Sequence, residues 1–129
     1  MKLFIADDSI LVRKQITEAI SDLGGIEIVG EAGDVDSSLT GIRFGQPHVV
    51  LLDLCMPGGT GLDVLTAIKR EIPEIVFIIY TQHSNTAWCR QCLDHGADLF
   101  LGKETGFAHL GPILENLARH FNELQPVST

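Results

Sequence analysis

The sequence predicts an α/β fold built on a parallel sheet, and three observations predict it. Short apolar runs alternate five times with longer stretches of helical spacing. The run His48-Val49-Val50-Leu51-Leu52 and the run from Ile75 to Tyr80 are apolar almost throughout rather than alternating. Strands of that kind need cover on both faces, which places them in the middle of a parallel sheet. Glycine and proline then punctuate the chain at Gly24-Gly25, Pro57-Gly58-Gly59, Pro73 and Gly96.

Taken in order, Leu3 to Ala6 is a first strand that stops abruptly at Asp7-Asp8. The first helix carries Val12, Ile16, Ala19, Ile20 and Leu23 on one face, and Gly24-Gly25 ends it as glycine commonly ends helices. Ile26 to Gly30 is a second, weaker strand. A short helix from about Asp34 to Phe44 has Val35, Leu39 and Ile42 on one side. The third strand, from His48, runs into Asp53. Pro57-Gly58-Gly59 marks a loop, and Leu62, Leu65, Ile68 and Ile72 trace the third helix as far as Pro73. The fourth strand ends at Thr81. Helix four covers about Asn85 to His95, and Asp98 to Leu101 is the fifth strand. The last helix, about Thr105 to Phe121, turns Leu110, Ile113, Leu114, Leu117 and Phe121 inward. Residues 122–129 are expected to be a frayed tail. Strand–helix pairs joined by right-handed crossovers give a doubly wound, flavodoxin-like (βα)5 domain over residues 1–121, strand order 2-1-3-4-5.

The bulk properties fit one such domain. A chain of 129 residues, 45% hydrophobic and 20% charged, can bury one core and is too short for two typical ones. Seventeen acidic residues against nine Lys and Arg give a net charge of −8, which excludes a nucleic-acid surface on this chain. No segment approaches the roughly 20 apolar residues of a membrane helix. The N-terminus meets carboxylates after six residues and does not read as a signal peptide, so no membrane contact and a cytoplasmic location are expected. The odd count of three cysteines indicates reduced thiols.

Ligands of open α/β sheets bind outside the carboxyl ends of the strands, near the switch in strand order. Here the strand ends carry Asp7-Asp8, Asp53 and Thr81, and Lys103 follows the fifth strand closely. With strands one and three adjacent, three carboxylates converge. Such a cluster repels itself unless a cation sits in it, and hard carboxylate oxygens suit Mg²⁺. An anionic nucleophile, a metal, an ammonium and a hydroxyl donor are the equipment of phosphoryl transfer.

The residues Asp7-Asp8, Asp53-Leu54-Cys55-Met56-Pro57-Gly58, Gly61, Thr81, Gly96-Ala97 and Lys103 resemble, in order and over nearly the whole chain, the receiver domain of bacterial response regulators. The resemblance implies that Asp53 accepts a phosphoryl group from a phosphohistidine on a sensor histidine kinase or a histidine phosphotransfer protein. It implies Mg²⁺ bound by Asp8, Asp53 and the backbone carbonyl of Cys55, and by Asp7 through water. Lys103 would pair with the phosphate, Thr81 would move toward it, and Phe100 stands at the aromatic switch position. The output face would be residues 85–121, read by a downstream protein, an output domain or a second copy in a phosphorylation-linked homodimer. Two departures from the pattern stand beside two tuning positions. Glu104 stands where proline commonly follows the lysine, Gln82 where a small residue follows the threonine, and Cys55 and His83 occupy positions that tune phosphate lifetime.

Plainer readings compete at each residue. Asp7-Asp8 could cap the first helix, although Ser9 is the better cap. An acid ending so apolar a strand as Asp53 does is costly unless paired or bound to metal. Thr81 and Lys103 carry little signal singly and gain it from register. Cys89 and Cys92 match a redox C-x-x-C but lie inside a helix, where packing is the simpler role. The five histidines show no metal-ligand spacing, and Trp88 reads as packing or partner surface. Beyond a stand-alone phosphoacceptor, the pattern allows the regulatory half of a DNA-binding transcription regulator or a phosphorylation-independent interaction module. A haloacid-dehalogenase-type hydrolase would need a second Asp where Cys55 stands.

Overall fold

The computed structural model describes residues 1–83 and 85–124. The elements are β1 Lys2–Ala6, α1 Ile10–Ser21, β2 Glu27–Ala32, α2 Val35–Gly45, β3 Val49–Leu52, β4 Cys55–Met56, β5 Gly59–Thr60, α3 Gly61–Glu71, β6 Val76–Thr81, α4 Thr86–Asp94, β7 Leu99–Gly102 and α5 Lys103–Leu124. Five strands form one sheet in the order β2-β1-β3-β6-β7, with every neighbouring pair parallel. This is the expected 2-1-3-4-5 order, with β6 and β7 as the fourth and fifth strands of the sheet. Among the described residues no helix is long and apolar enough to cross a membrane.

Side chains alternate across a strand, and that period divides the core into two layers. Phe4, Ala6, Val50, Leu52, Phe77 and Ile79 face a cluster completed by Ile42, Leu65, Ile68 and Cys92 from α2, α3 and α4. Leu3, Ile5, Val49, Leu51, Ile78 and Tyr80 face the other way, onto Ile16, Ile20, Leu110 and Leu114 of α1 and α5. The helices contribute unequally: α3 buries Gly61, Val64, Leu65 and Ile68, whereas α4 buries only Cys92.

Two features differ from the sequence expectation. The segment read as a loop at Pro57-Gly58-Gly59 closes a small antiparallel hairpin pairing Cys55 with Thr60 and Met56 with Gly59. Gly58, at its turn, has φ +88°, a conformation that favours glycine. The last helix starts at Lys103 and continues through Leu124. Residues 122–124, expected in the tail, are therefore helical, and residues 125–129 lie outside the described residues. No glycine or proline stands among residues 122–124, and Asn122 is tied down. Its Oδ1 accepts from the Met1 ammonium at 2.8 Å, and that ammonium also donates to the Gly25 carbonyl at 2.7 Å.

Phe4 fills the space between β1 and α2 with its ring, which is 2% exposed. A Cβ at Gly41 would stand 2.6 Å from the Phe4 ring and one at Gly30 2.8 Å from it, so the ring is confined by both. Replacing a helical glycine with alanine ordinarily stabilises by up to about 1 kcal/mol. At Gly41 overpacking reverses that sign. Gly41→Ala is expected to lower stability by about 1–3 kcal/mol, measured as a lower urea midpoint with an unchanged slope.

Candidate functional site

Because β1 and β3 are neighbours, the residues following them emerge side by side. The Asp7 N–H donates to the Ala32 carbonyl and the Asp53 N–H to the Ala6 carbonyl, each at 2.9 Å, which fixes both backbones to the sheet. Asp7 is 2% and Asp53 5% exposed, whereas Asp8 faces solvent. One carboxylate oxygen from each of Asp7, Asp8 and Asp53 lies within 4.8 Å of the others. Among the described residues this is the one group of three or more acidic, histidine or cysteine side chains drawn so close.

Lys103 enters from the junction of β7 and α5. Its Nζ stands 2.7 Å from Asp7 Oδ2 and 3.2 Å from Asp53 Oδ2, bridging the two buried acids. The second oxygen of Asp53 receives only a long 3.4 Å contact from the Cys55 N–H. Asp7 Oδ1 accepts from the Ser9 N–H at 2.9 Å, and the Ser9 hydroxyl caps α1 by accepting from Val12 N–H at 3.2 Å. Ser9, not Asp7 or Asp8, is thus the cap, and the acids are left for the site.

Burial lifts the Asp7 carboxyl above the usual carboxylate range. The hydrogen bonds from Lys103 and Ser9 pull it down, repulsion from Asp53 pushes it up, and burial prevails. For Lys103, burial alone would lower the ammonium, but its bond to Asp7 and the charges of Asp53 and Asp7 hold it above the ordinary lysine value. An isolated ion pair would depress its acid. Here both partners rise, the acid through its burial and the ammonium through the two buried carboxylates it faces.

A cleft of about 330 Å³ opens over the acids, lined by Asp8, Ser9, Val12, Asp53, Cys55, Gln82, His83 and Lys103. A larger hollow of about 590 Å³ lies beside it between α1 and α5, lined in part by Gln15, Tyr80 and Phe107, but of the converging groups only Lys103 reaches it. Thr81 is fully buried and its Oγ1 accepts from the His83 N–H at 3.2 Å. Phe100 does not line the cleft. It is half-buried against the layer containing Phe77, Ile79 and Trp88. The fold therefore brings Asp7, Asp8, Asp53, Cys55 and Lys103 together, sets Thr81 at the end of the adjacent strand β6, and keeps Phe100 in the apolar layer. Gly61 starts α3 so close to Asp53 that a Cβ there would collide with the Asp53 carbonyl.

Two contacts were not visible in the sequence. Arg13 Nη1 donates to the Asp7 carbonyl while its Nε pairs with Glu31 at 3.3 Å, bracing the Asp7-Asp8 turn. Cys55 Sγ lies 3.0 Å from His83 Nε2, so two residues that read as separate neighbours of the site touch across its mouth. Arg13 carried no signal, because on an amphipathic helix it is simply a polar position. Cys89 and Cys92 lie within α4, half-buried and buried, as helix packing requires.

Comparison with known proteins agrees with this geometry. The model of the response regulator receiver domain matches residues 3–115. Response regulator GacA of Pseudomonas syringae pv. syringae is 33% identical over 110 residues, 85% of this chain and 51% of that protein. The probable transcriptional regulatory protein NarL of Mycobacterium tuberculosis is 36% identical over 106 residues, 81% of this chain and 49% of that protein. The chain thus spans about half the length of the curated relatives it matches. Among solved structures, the signal receiver domain of NarL from Mycobacterium tuberculosis superposes with TM-score 0.83 at 30% identity, covering 92% of this chain and 95% of that one. The isolated receiver domain of RcsB from Salmonella enterica, determined with a phosphomimetic, gives TM-score 0.85 at 28% identity over 92% and 88%. With the acidic pocket at the carboxyl end of a 2-1-3-4-5 sheet, the chain belongs to the response-regulator receiver domain family of two-component signalling.

Proposed function

We propose that the chain is a phosphoacceptor: Asp53 takes a phosphoryl group from a phosphohistidine of a sensor histidine kinase or histidine phosphotransfer protein. The observation that carries this is the state of the Asp53 carboxylate. It is buried against the sheet, one oxygen is held by Lys103, and the other is nearly free beneath an open cleft. A carboxylate so placed is oriented and poorly solvated, which favours attack on phosphorus. The new O–P bond forms as the N–P bond breaks, and the histidine nitrogen departs with the electron pair. Lys103 then pairs with the phosphoryl charge in place of the carboxylate.

The donor set fits Mg²⁺, a hard ion that takes one or two carboxylates together with phosphate oxygens. Asp8, Asp53 and the Cys55 carbonyl would hold it, with Asp7 acting through water, and when bound it supplies charge neutralisation at the phosphoryl oxygens. The Thr81 hydroxyl accepts from His83 N–H, so its own proton is available to a phosphate oxygen. Movement of Thr81 would loosen the start of α4, and Phe100, packed against that layer, would follow. The face altered is α4-β7-α5, within residues 85–121. A downstream protein, an output domain or a second copy in a phosphorylation-linked homodimer would read it. The role is signalling in the cytoplasm by single modification and slow hydrolysis, rather than catalytic turnover. One observation favours the regulatory half of a longer regulator over a stand-alone protein: the relatives it matches are about twice the length it covers.

Incubation with a small phosphodonor and Mg²⁺, followed by intact mass, is expected to add one phosphoryl group to the wild type and none to Asp53→Asn or to the Mg²⁺-free sample. If the wild type stays unmodified even with a phosphorylated sensor kinase, the phosphoacceptor role is lost.

The raised Asp7 sets a second expectation. A carboxyl raised on folding favours the native state fully below its unfolded value, and that contribution is lost as pH rises through the folded value. Ionised Asp7 therefore costs stability at neutral pH. Without Mg²⁺, Asp7→Asn should be more stable than wild type at pH 7, and the advantage should vanish as pH falls below about 4. Mg²⁺ should raise the melting temperature of the wild type by binding the native state, and do so less in the variant. Equal melting curves at pH 7 would remove the electrostatic account of the pocket.

A further inference from the structure

We propose, resting on the Mg²⁺ reading of the acidic cluster, that Arg13 oriented by Glu31 is a positioning residue for that site. It holds the Asp7-Asp8 turn so that the Asp8 carboxylate stands ready for the ion. Asp8 is exposed, and among the described residues no ion pair engages its side chain. Its place is therefore set by its backbone. Asp7, by contrast, is fixed on its N–H side by the Ala32 carbonyl at 2.9 Å and at its carboxylate by the Ser9 N–H and Lys103. The peptide that joins Asp7 to Asp8 carries the Asp7 carbonyl, and Arg13 Nη1 donates to that oxygen.

The guanidinium is itself seated. Its Nε pairs with Glu31 at 3.3 Å, and the Arg13 side chain is 18% exposed against 41% for Glu31. Glu31 stands on β2 in register with Ile5 of β1, so the sheet fixes its backbone. Gly33 keeps the passage open: a Cβ there would lie 3.1 Å from Arg13 Nη1, 3.5 Å from the Asp8 Cα and 3.6 Å from the Asp7 carbonyl oxygen. A planar fork of donors serves a carbonyl and a carboxylate together. Engaged by Glu31 and a carbonyl, the guanidinium leaves the three clustered carboxylates alone, whereas Lys103 bridges two of them. It orders the turn without taking the ion's place.

Electrostatics and positioning predict opposite signs. A fixed cation near the site repels a second one, so losing its charge through space alone would tighten Mg²⁺ binding. Losing an outer-sphere partner that orients a ligand weakens metal binding, by roughly tenfold or more. The test is Mg²⁺ titration of the full chain followed by amide chemical shifts, at a temperature where metal-free melting curves show each variant folded. Arg13→Met keeps the packed stem and drops the guanidinium, and its dissociation constant for Mg²⁺ should rise roughly tenfold. Glu31→Gln, at the more exposed position, should weaken Mg²⁺ binding on its own and change nothing further when combined with Arg13→Met. Equal or tighter binding in Arg13→Met would overturn the proposal, as would unchanged binding in Glu31→Gln alone or a Glu31→Gln effect of the same size in both backgrounds. A lower metal-free melting temperature with an unchanged dissociation constant would reduce Arg13 to a fold contact and overturn it too. A wild type that binds no Mg²⁺ would remove the metal reading and the proposal with it, whereas intact wild-type binding confines a failure to Arg13.

Discussion

Two buried carboxylates share one ammonium, and the arrangement of the upper end of the sheet follows from that shortage. Asp7 and Asp53 cannot leave the sheet, because their N–H groups are the last rungs of the β1 and β3 ladders. Lys103 can reach both because α5 begins directly at the end of β7. The pocket is left with a negative excess once Asp8 is counted. Such a site is poorly satisfied as it stands and better satisfied by anything that brings positive charge, so a local deficit in stability becomes an affinity.

The same deficit explains why the site was legible in the sequence. A strand as apolar as Val49–Leu52 has no structural use for an acid at its end, and Asp7-Asp8 interrupts β1 just as abruptly. Period and composition were enough for the sheet, since Phe4 and Ala6 face one layer and Leu3 and Ile5 the other. The order of strands then placed Asp7 beside Asp53 without any knowledge of side-chain positions. Ser9 as the α1 cap was also readable, because capping is a local preference.

What the sequence hid depends on contacts between distant segments. The β4–β5 hairpin has strands of two residues, too short for any periodicity to register. The last turn of α5 is secured by Asn122 against the Met1 ammonium and Gly25, partners roughly a hundred residues away. Arg13 matters through the carbonyl of Asp7, an acceptor that every residue possesses and none advertises. The Cys55–His83 contact joins the β4–β5 hairpin to the segment after β6, and their approach is set by the β3–β6 pairing rather than by either segment.

The uneven burial of the helices bears on how free energy is distributed over the molecule. With Cys92 as its one fully buried side chain, α4 adds little to the global stability and needs little to detach. Its amides should exchange with solvent through openings far smaller than complete unfolding, while those of β3 and β6 exchange only when the whole domain unfolds. A population that already samples loosened α4 can be redistributed by a few kcal/mol of differential binding, within reach of one charge-assisted contact network. The light packing of this helix makes it the part of the domain that a modest chemical event at the carboxyl end of β6, where the helix begins, can rearrange.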